Sequence, residues 1–242
     1  MSPVIDVHTH MLNNAWFDLL KKHGKPRYTV KPVKGGLHAI HLDGAPFMTP
    51  VPAMFDYEMR IRDMNRAKID ISIVSLTCPN VYWGGAEVSL KAAQIMNDDM
   101  AKAQRAYPER IRWFASLPWQ YPALAVKELT RATKAGAVGV MVLANINGEH
   151  LTNPRFAPIW KAIDKLALPV LIHPTAPPGV ANMQMNEFQL TASLGFTFDT
   201  SLAVARMAHA KRTITVRILQ TEPVIVMTAE VADVKTGRVV HA

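Results

Sequence analysis

A single cysteine, Cys78, is all the thiol this chain carries. No internal disulfide can form, and a reducing compartment is expected. No apolar run approaches the roughly 18–20 residues that a membrane-spanning helix needs. Near the start of the chain, Asp6, His8 and His10 interrupt what would be the apolar stretch of a signal peptide. Together these absences predict a cytoplasmic protein without membrane association. No glycine-rich phosphate fingerprint follows the first apolar run, which removes the main argument for a nucleotide-binding sheet. Acids are missing too: none lies between Asp18 and Asp43, while Lys21, Lys22, Lys25, Arg27, Lys31 and Lys34 supply positive charge. Pro26, Pro32, Gly24, Gly35 and Gly36 share that stretch, so it reads as a basic loop within residues 21–53. Such a loop either is simply solvated or draws in an anion. Nothing accompanies it that would suggest nucleic-acid binding, and none is expected.

What is present is enough apolar sequence for a real core, 49% against 19% charged residues. Five short Val/Ile-rich runs read as strands buried on both faces: Val4–Val7, Ile71–Leu76, Ile111–Leu117, Val138–Leu143 and Val170–Ile172. Helical patterns separate them. Leu90, Ala93, Met96, Met100 and Ala103 recur at spacings of three and four. Pro122 opens another helix and Gly136 follows its end. Asn153-Pro154 starts a third, and a fourth covers Tyr57–Lys68. Strand, helix, strand, helix predicts an α/β fold with a parallel sheet. An open doubly wound sheet and a closed eight-stranded barrel compete, and both place function at the C-terminal ends of the strands.

Three histidines stand at such ends. In "VIDVHTHMLN" the apolar run stops at His8 and His10, which as residues two apart on a strand share a face. "LPVLIHPT" ends its strand in His173. A lone histidine there is usually just hydrogen-bonded. Two rings so close would repel when protonated and gain from sharing a cation, and three neutral imidazoles are a good ligand set for Zn2+, Mn2+ or another divalent ion. Other polar residues carry weaker signals. His38 and His41 lie in the basic stretch, and Asn145, Asn147 and His150 form ordinary turn chemistry. Cys78 has no histidine partner that would mark it as a nucleophile.

"DVHTH" and "VLIHP" resemble the amidohydrolase superfamily. More narrowly, the chain is similar to the aminocarboxymuconate-semialdehyde and resorcylate decarboxylase group. "RIRDMNRAKIDISIVSL", "NDDMAKAQRAYPERIRWFASLPWQYPALAVKEL" and "GFTFDTSLAVARM" support this in order and spacing from Val4 to Met207. The resemblance implies a TIM-barrel-like (β/α) fold and a metal held by His8, His10 and His173. It implies cleavage of a C–C or C–N bond in carboxylated, often aromatic or unsaturated, substrates. Arg60 and Arg62 lie where the family has a substrate-binding arginine.

Two family residues have no match: the histidine that ends strand six and the aspartate that ends strand eight. His209 stands in a helical context before the expected strand, and Asp233 lies in unrelated sequence. From Thr213 to Ile218 the pattern alternates with period two, and Pro223–Ala242 reads as a strand, a turn at Lys235–Arg238 and a returning strand. The expectation is therefore a barrel portion over 1–210, incomplete at its C-terminus, followed by a β-rich tail over 211–242. The expected function is decarboxylation of a small anionic carboxylate by a homo-oligomer, with no catalytic residue assigned. Hydrolysis of a lactone or amide at the same site, or an inactive binding protein that keeps the fold, are the alternatives.

Overall fold

The computed structural model describes residues 2–186 and 190–208 in full, and the backbone of strands within 212–221, 224–233 and 239–241. Strand β1, Ile5–His10, opens the chain and passes into helix α1, Asn14–His23, whose first turn is capped by the Asn13 side chain. Trp16, Phe17 and Leu20 share one face of α1 and are buried.

The stretch expected to be a basic loop is instead a small antiparallel sheet. Strands β2 (Tyr28–Pro32), β3 (His38–Leu42) and β4 (Ala45–Met48) pair in sequence order. Prolines and glycines mislead here because they sit where a sheet tolerates them. Pro32 ends β2 and Gly35–Gly36 turn the chain with φ of 82° and 74°. Leu42 pairs with Ala45 across Asp43-Gly44, both at positive φ, the two-residue hairpin turn that matches strand twist. Tyr28 and Ile40 go into the core, and the lysines stay outside.

The chain then alternates as expected. Helix α2 (Tyr57–Ala67) leads to β5 (Ile71–Ser75), α3 (Ala86–Ala106) to β6 (Ile111–Ala115) and α4 (Pro122–Lys134) to β7 (Gly139–Leu143). A short hairpin, β8 (Asn145–Ile146) with β9 (Glu149–His150), follows β7. Asn153 caps a 3-10 turn at Pro154–Phe156, and α5 (Ala157–Lys165) leads to β10, Val170–His173. Helix α6, Phe196–Met207, comes after a π-helical stretch at Thr191–Gly195.

Strands β1, β5, β6, β7 and β10 form one parallel sheet in that order. Each new strand is added on the same side of the last. A doubly wound sheet would reverse direction at a switch point, so this order is the winding of a barrel. The middle strands are buried on both faces: every residue of β7 is buried, as are Trp113, Phe114 and Ala115 of β6. Among the described residues β1 and β10 are the sheet's edges, and Val4, Ile5 and Val7 are about half exposed.

Two helices are tied to this sheet by buried polar groups. Asn97 of α3 accepts from the Ser116 N–H at 2.9 Å and donates to the Ser116 carbonyl and to Glu128 of α4. Arg131 grips the same carboxylate through two nitrogens, each at 2.8 Å. Strands β11 (Arg212–Thr221), β12 (Val224–Asp233) and β13 (Val239–His241) form a separate antiparallel sheet. The turn expected at Lys235–Arg238, and His209, lie outside the described residues. No described helix is long and apolar enough to cross a membrane.

Candidate metal centre

The winding of the sheet brings β1 and β10 to the same end of the molecule with their last residues facing inward. The rings of His8, His10 and His173 meet there edge to face, with centroids 4.7–5.0 Å apart. One nitrogen from each lies within 4.8 Å of the others. His173 is buried, His10 partly buried, and His8 exposed, so the cluster opens to solvent on the His8 side. Its backbone setting is irregular. The pairing of β1 with β5 slips between Asp6 and Thr9, a bulge of the kind that re-aims side chains.

The hydrogen bonds fix how these rings are turned. His173 Nδ1 lies 2.7 Å from the Pro174 carbonyl oxygen. A carbonyl can only accept, so Nδ1 carries the proton and Nε2 is a bare lone pair. That lone pair lies 3.0 Å from His10 Nε2. His10 Nδ1 is 3.2 Å from Ser75 Oγ, which is also 3.4 Å from the Thr9 carbonyl. The serine hydroxyl can therefore turn either way. Donating to His10, it leaves a proton on Nε2 to bridge the two rings; donating to Thr9, it accepts from Nδ1 and leaves two lone pairs face to face.

Two lone pairs at this distance repel unless something positive lies between them. Burial, His173 and His8 together push the His10 imidazolium down to about 3, and burial chiefly pushes His173 down to about 4. Extra protons are therefore excluded at neutral pH. Nitrogens 3.0 Å apart can both ligate one ion at the ordinary zinc–imidazole distance of about 2.1 Å. This donor set fits a divalent cation.

Arg60 and Arg62 have different fates, as residues two apart on a helix do not share a face. Arg60 Nη2 donates to the His10 carbonyl at 3.0 Å, and its buried Nε has no hydrogen-bond acceptor among the described residues. Arg62 turns to solvent, 4.0 Å from Glu58. His38 is exposed, His41 rests 3.4 Å from the Ala39 carbonyl, and exposed His150 bonds Thr152. A cleft of about 260 Å³ lies between the small sheet and the loops after β7 and β10. Arg27, Asp43, Phe47, Asn145 and Asn147 line it.

The sequence did not single out Ser75 or Asp199. Asp199 sits on α6, 2% exposed, and takes both oxygens to Asn145 Nδ2, at 3.0 and 3.1 Å. Burial pushes its carboxyl up to about 6, against the opposing pull of Asn145 and the Thr175 N–H. A lone acid inside the apolar run "GFTFDTSLAV" was the available signal.

The family model for Amidohydrolase matches residues 5–214. The chain belongs to the amidohydrolase family. Among its relatives, a 2-amino-3-carboxymuconate-6-semialdehyde decarboxylase of Dictyostelium discoideum is 31% identical, over 84% of this chain and 57% of its own length. A gamma-resorcylate decarboxylase of Rhodococcus jostii is 32% identical over 50% of this chain and 40% of its own. The chain thus spans about half the length of the curated relatives it matches. A solved structure of an amidohydrolase II shares the fold with a TM-score of 0.68 at 28% identity, covering 84% of this chain and 60% of that one. The amidohydrolase sheet described above is the corresponding portion of a TIM-barrel-like fold.

Proposed function

We propose that this amidohydrolase chain decarboxylates an aromatic or unsaturated carboxylate at a divalent metal held by His8, His10 and His173. The observation that carries the metal is the approach of two Nε2 atoms to 3.0 Å, with His173 locked in the tautomer that offers its lone pair. The names of the relatives favour decarboxylation over hydrolysis within the family. Bound there, a divalent cation supplies Lewis acidity to a substrate oxygen.

The chain's own groups supply binding and orientation. Arg60, held by the His10 carbonyl, is fixed beside the histidines, where its guanidinium pairs with a substrate carboxylate. The reaction breaks the bond between that carboxylate and its carbon. Carbon dioxide leaves, the bonding electrons stay on the carbon, and a proton then takes the carboxylate's place. Adjacent unsaturation in the substrate spreads that charge, which is why an aromatic or conjugated acid suits the reaction. Outside the centre, Lys21, Lys22, Lys25, Arg27 and Lys31 raise the local concentration of anions.

The test is turnover of carboxylated phenols by protein loaded with zinc or manganese, following carbon dioxide release. Release that disappears in His173→Ala establishes the reading. Hydrolysis of a lactone or amide without carbon dioxide release would replace it with the hydrolase reading, and a loaded, folded, homo-oligomeric protein inert to both would be a binding protein.

A further inference from the structure

His173 ends an edge strand, yet its ring must be aimed accurately for the metal centre to exist. Its Nδ1–H donates to the Pro174 carbonyl. That carbonyl belongs to the same peptide group as the N–H of Thr175, and the Thr175 N–H donates to Asp199 Oδ2 at 3.3 Å. A carboxylate on α6 and the imidazole on β10 are therefore joined through the two ends of one planar amide. Both ends are buried: His173 is 5% exposed, Thr175 6% and Asp199 2%.

The rest of the cluster holds this arrangement from the neighbouring strand. Asn145, just past β7, uses its amide nitrogen on both Asp199 oxygens and on the Ala176 carbonyl at 3.1 Å. Its own side-chain oxygen accepts from the Gly148 N–H at 2.8 Å. Residues 174–176 are thus pinned at Thr175 N and Ala176 O, and Pro174 O is left in place to receive the ring.

We propose that Asp199 is a positioning residue for the metal centre, fixing the orientation and tautomer of His173 through the Pro174–Thr175 peptide. The inference rests on the reading of His8, His10 and His173 as metal ligands. Its physical basis is polarisation along a hydrogen-bonded chain. A carboxylate drawing on the N–H of an amide puts more negative charge on that amide's oxygen. The oxygen then holds the imidazole Nδ1–H more firmly, and Nε2 becomes the better donor. Metal-bound histidines are commonly tuned by a carboxylate or carbonyl behind them, and losing such support typically weakens metal binding about 10–100-fold. Here the two supports act in series.

The experiment measures the dissociation constant of Mn2+ and of Zn2+ at pH 8, together with the melting temperature of the metal-free protein. The unmodified chain, Asp199→Asn and His173→Ala are compared. Asparagine keeps the size and an acceptor oxygen but removes the charge. Weakening of about 10–100-fold in Asp199→Asn is expected, beyond any change in a variant that lowers the melting temperature equally from a distant site. Unmodified chain that binds metal while Asp199→Asn binds it equally well overturns the inference and leaves the metal centre standing. Unmodified chain that binds no metal overturns both. If Asp199→Asn does not fold, Asp199→Glu carries the same comparison, since the extra methylene displaces the carboxylate from Thr175. A second readout needs no variant: the ring-nitrogen NMR spectrum of the metal-free chain is expected to show His173 protonated on Nδ1. Protonation on Nε2 would contradict the proposal.

Discussion

At the scale of single residues, the centre depends on which nitrogen of each ring is free. His173 has one option, because a carbonyl faces its Nδ1, whereas His10 has two, because a hydroxyl faces its own. In the proposed metal centre, Ser75 lets His10 pass from sharing a proton to sharing a cation. Ser75→Ala is expected to weaken metal binding about tenfold while His10→Ala abolishes it; a titration with Mn2+ distinguishes the two. The arginines separate just as sharply. Arg60→Gln should raise KM for a carboxylate substrate about 10–100-fold by removing a charge-assisted contact. Arg62→Gln, on the solvent face with a 4.0 Å partner, should leave both kcat and KM unchanged. Equal effects of the two substitutions would contradict the assignment of Arg60. The convergence of the three histidines was legible because strand ends and the H-x-H spacing set their direction. Ser75 and Asp199 were not, since their roles come from hydrogen bonds between segments far apart in sequence.

At the scale of elements, the five parallel strands and the helices α2 to α5 could be read from apolar runs and caps alone, whereas α1 was not singled out because its last turn shares the basic stretch that reads as a loop. The antiparallel sheet at Tyr28–Met48 could not, because its prolines and glycines outweighed a weak period-two pattern. The Asp43-Gly44 turn was the signal that should have revealed it. Gly44 sits at φ 86°, and a Cβ there would meet no atom within 4 Å. Gly44→Ala should therefore cost about 1–2 kcal/mol from backbone strain alone, visible as a lower denaturation midpoint with no loss of packing. Glu128 tests the tie between α3 and α4. Its carboxylate is buried against Asn97 and Arg131, so Glu128→Ala leaves three donor nitrogens short of an acceptor. A loss of about 2–3 kcal/mol in urea unfolding is expected.

At the scale of the whole molecule, the winding order of the sheet decides the architecture and thereby the site. Adding each strand on one side curls the sheet until β1 and β10, first and last of the five, present their ends to a common centre. No pattern within one strand contains that convergence. The sequence order of elements predicts it only through the choice between barrel and doubly wound sheet. Cys78 offers a probe of the core's integrity. Burial pushes its thiol up to about 11, so the protonated form is favoured in the folded chain. That contribution to stability is complete below the ordinary thiol value near 9 and is lost as pH rises through about 11. Alkylation at pH 8 should accordingly be negligible until the protein unfolds, and should track the unfolding curve in urea.

Three histidines from the two edge strands of this sheet are proposed to hold one cation. The decisive experiment purifies the chain without chelator and measures bound metal by mass spectrometry, alongside His8→Ala/His10→Ala. About one divalent ion per chain is expected, absent from the double variant although it remains folded. A folded chain free of metal even after incubation with zinc and manganese, or a double variant that keeps its ion, would contradict the proposal.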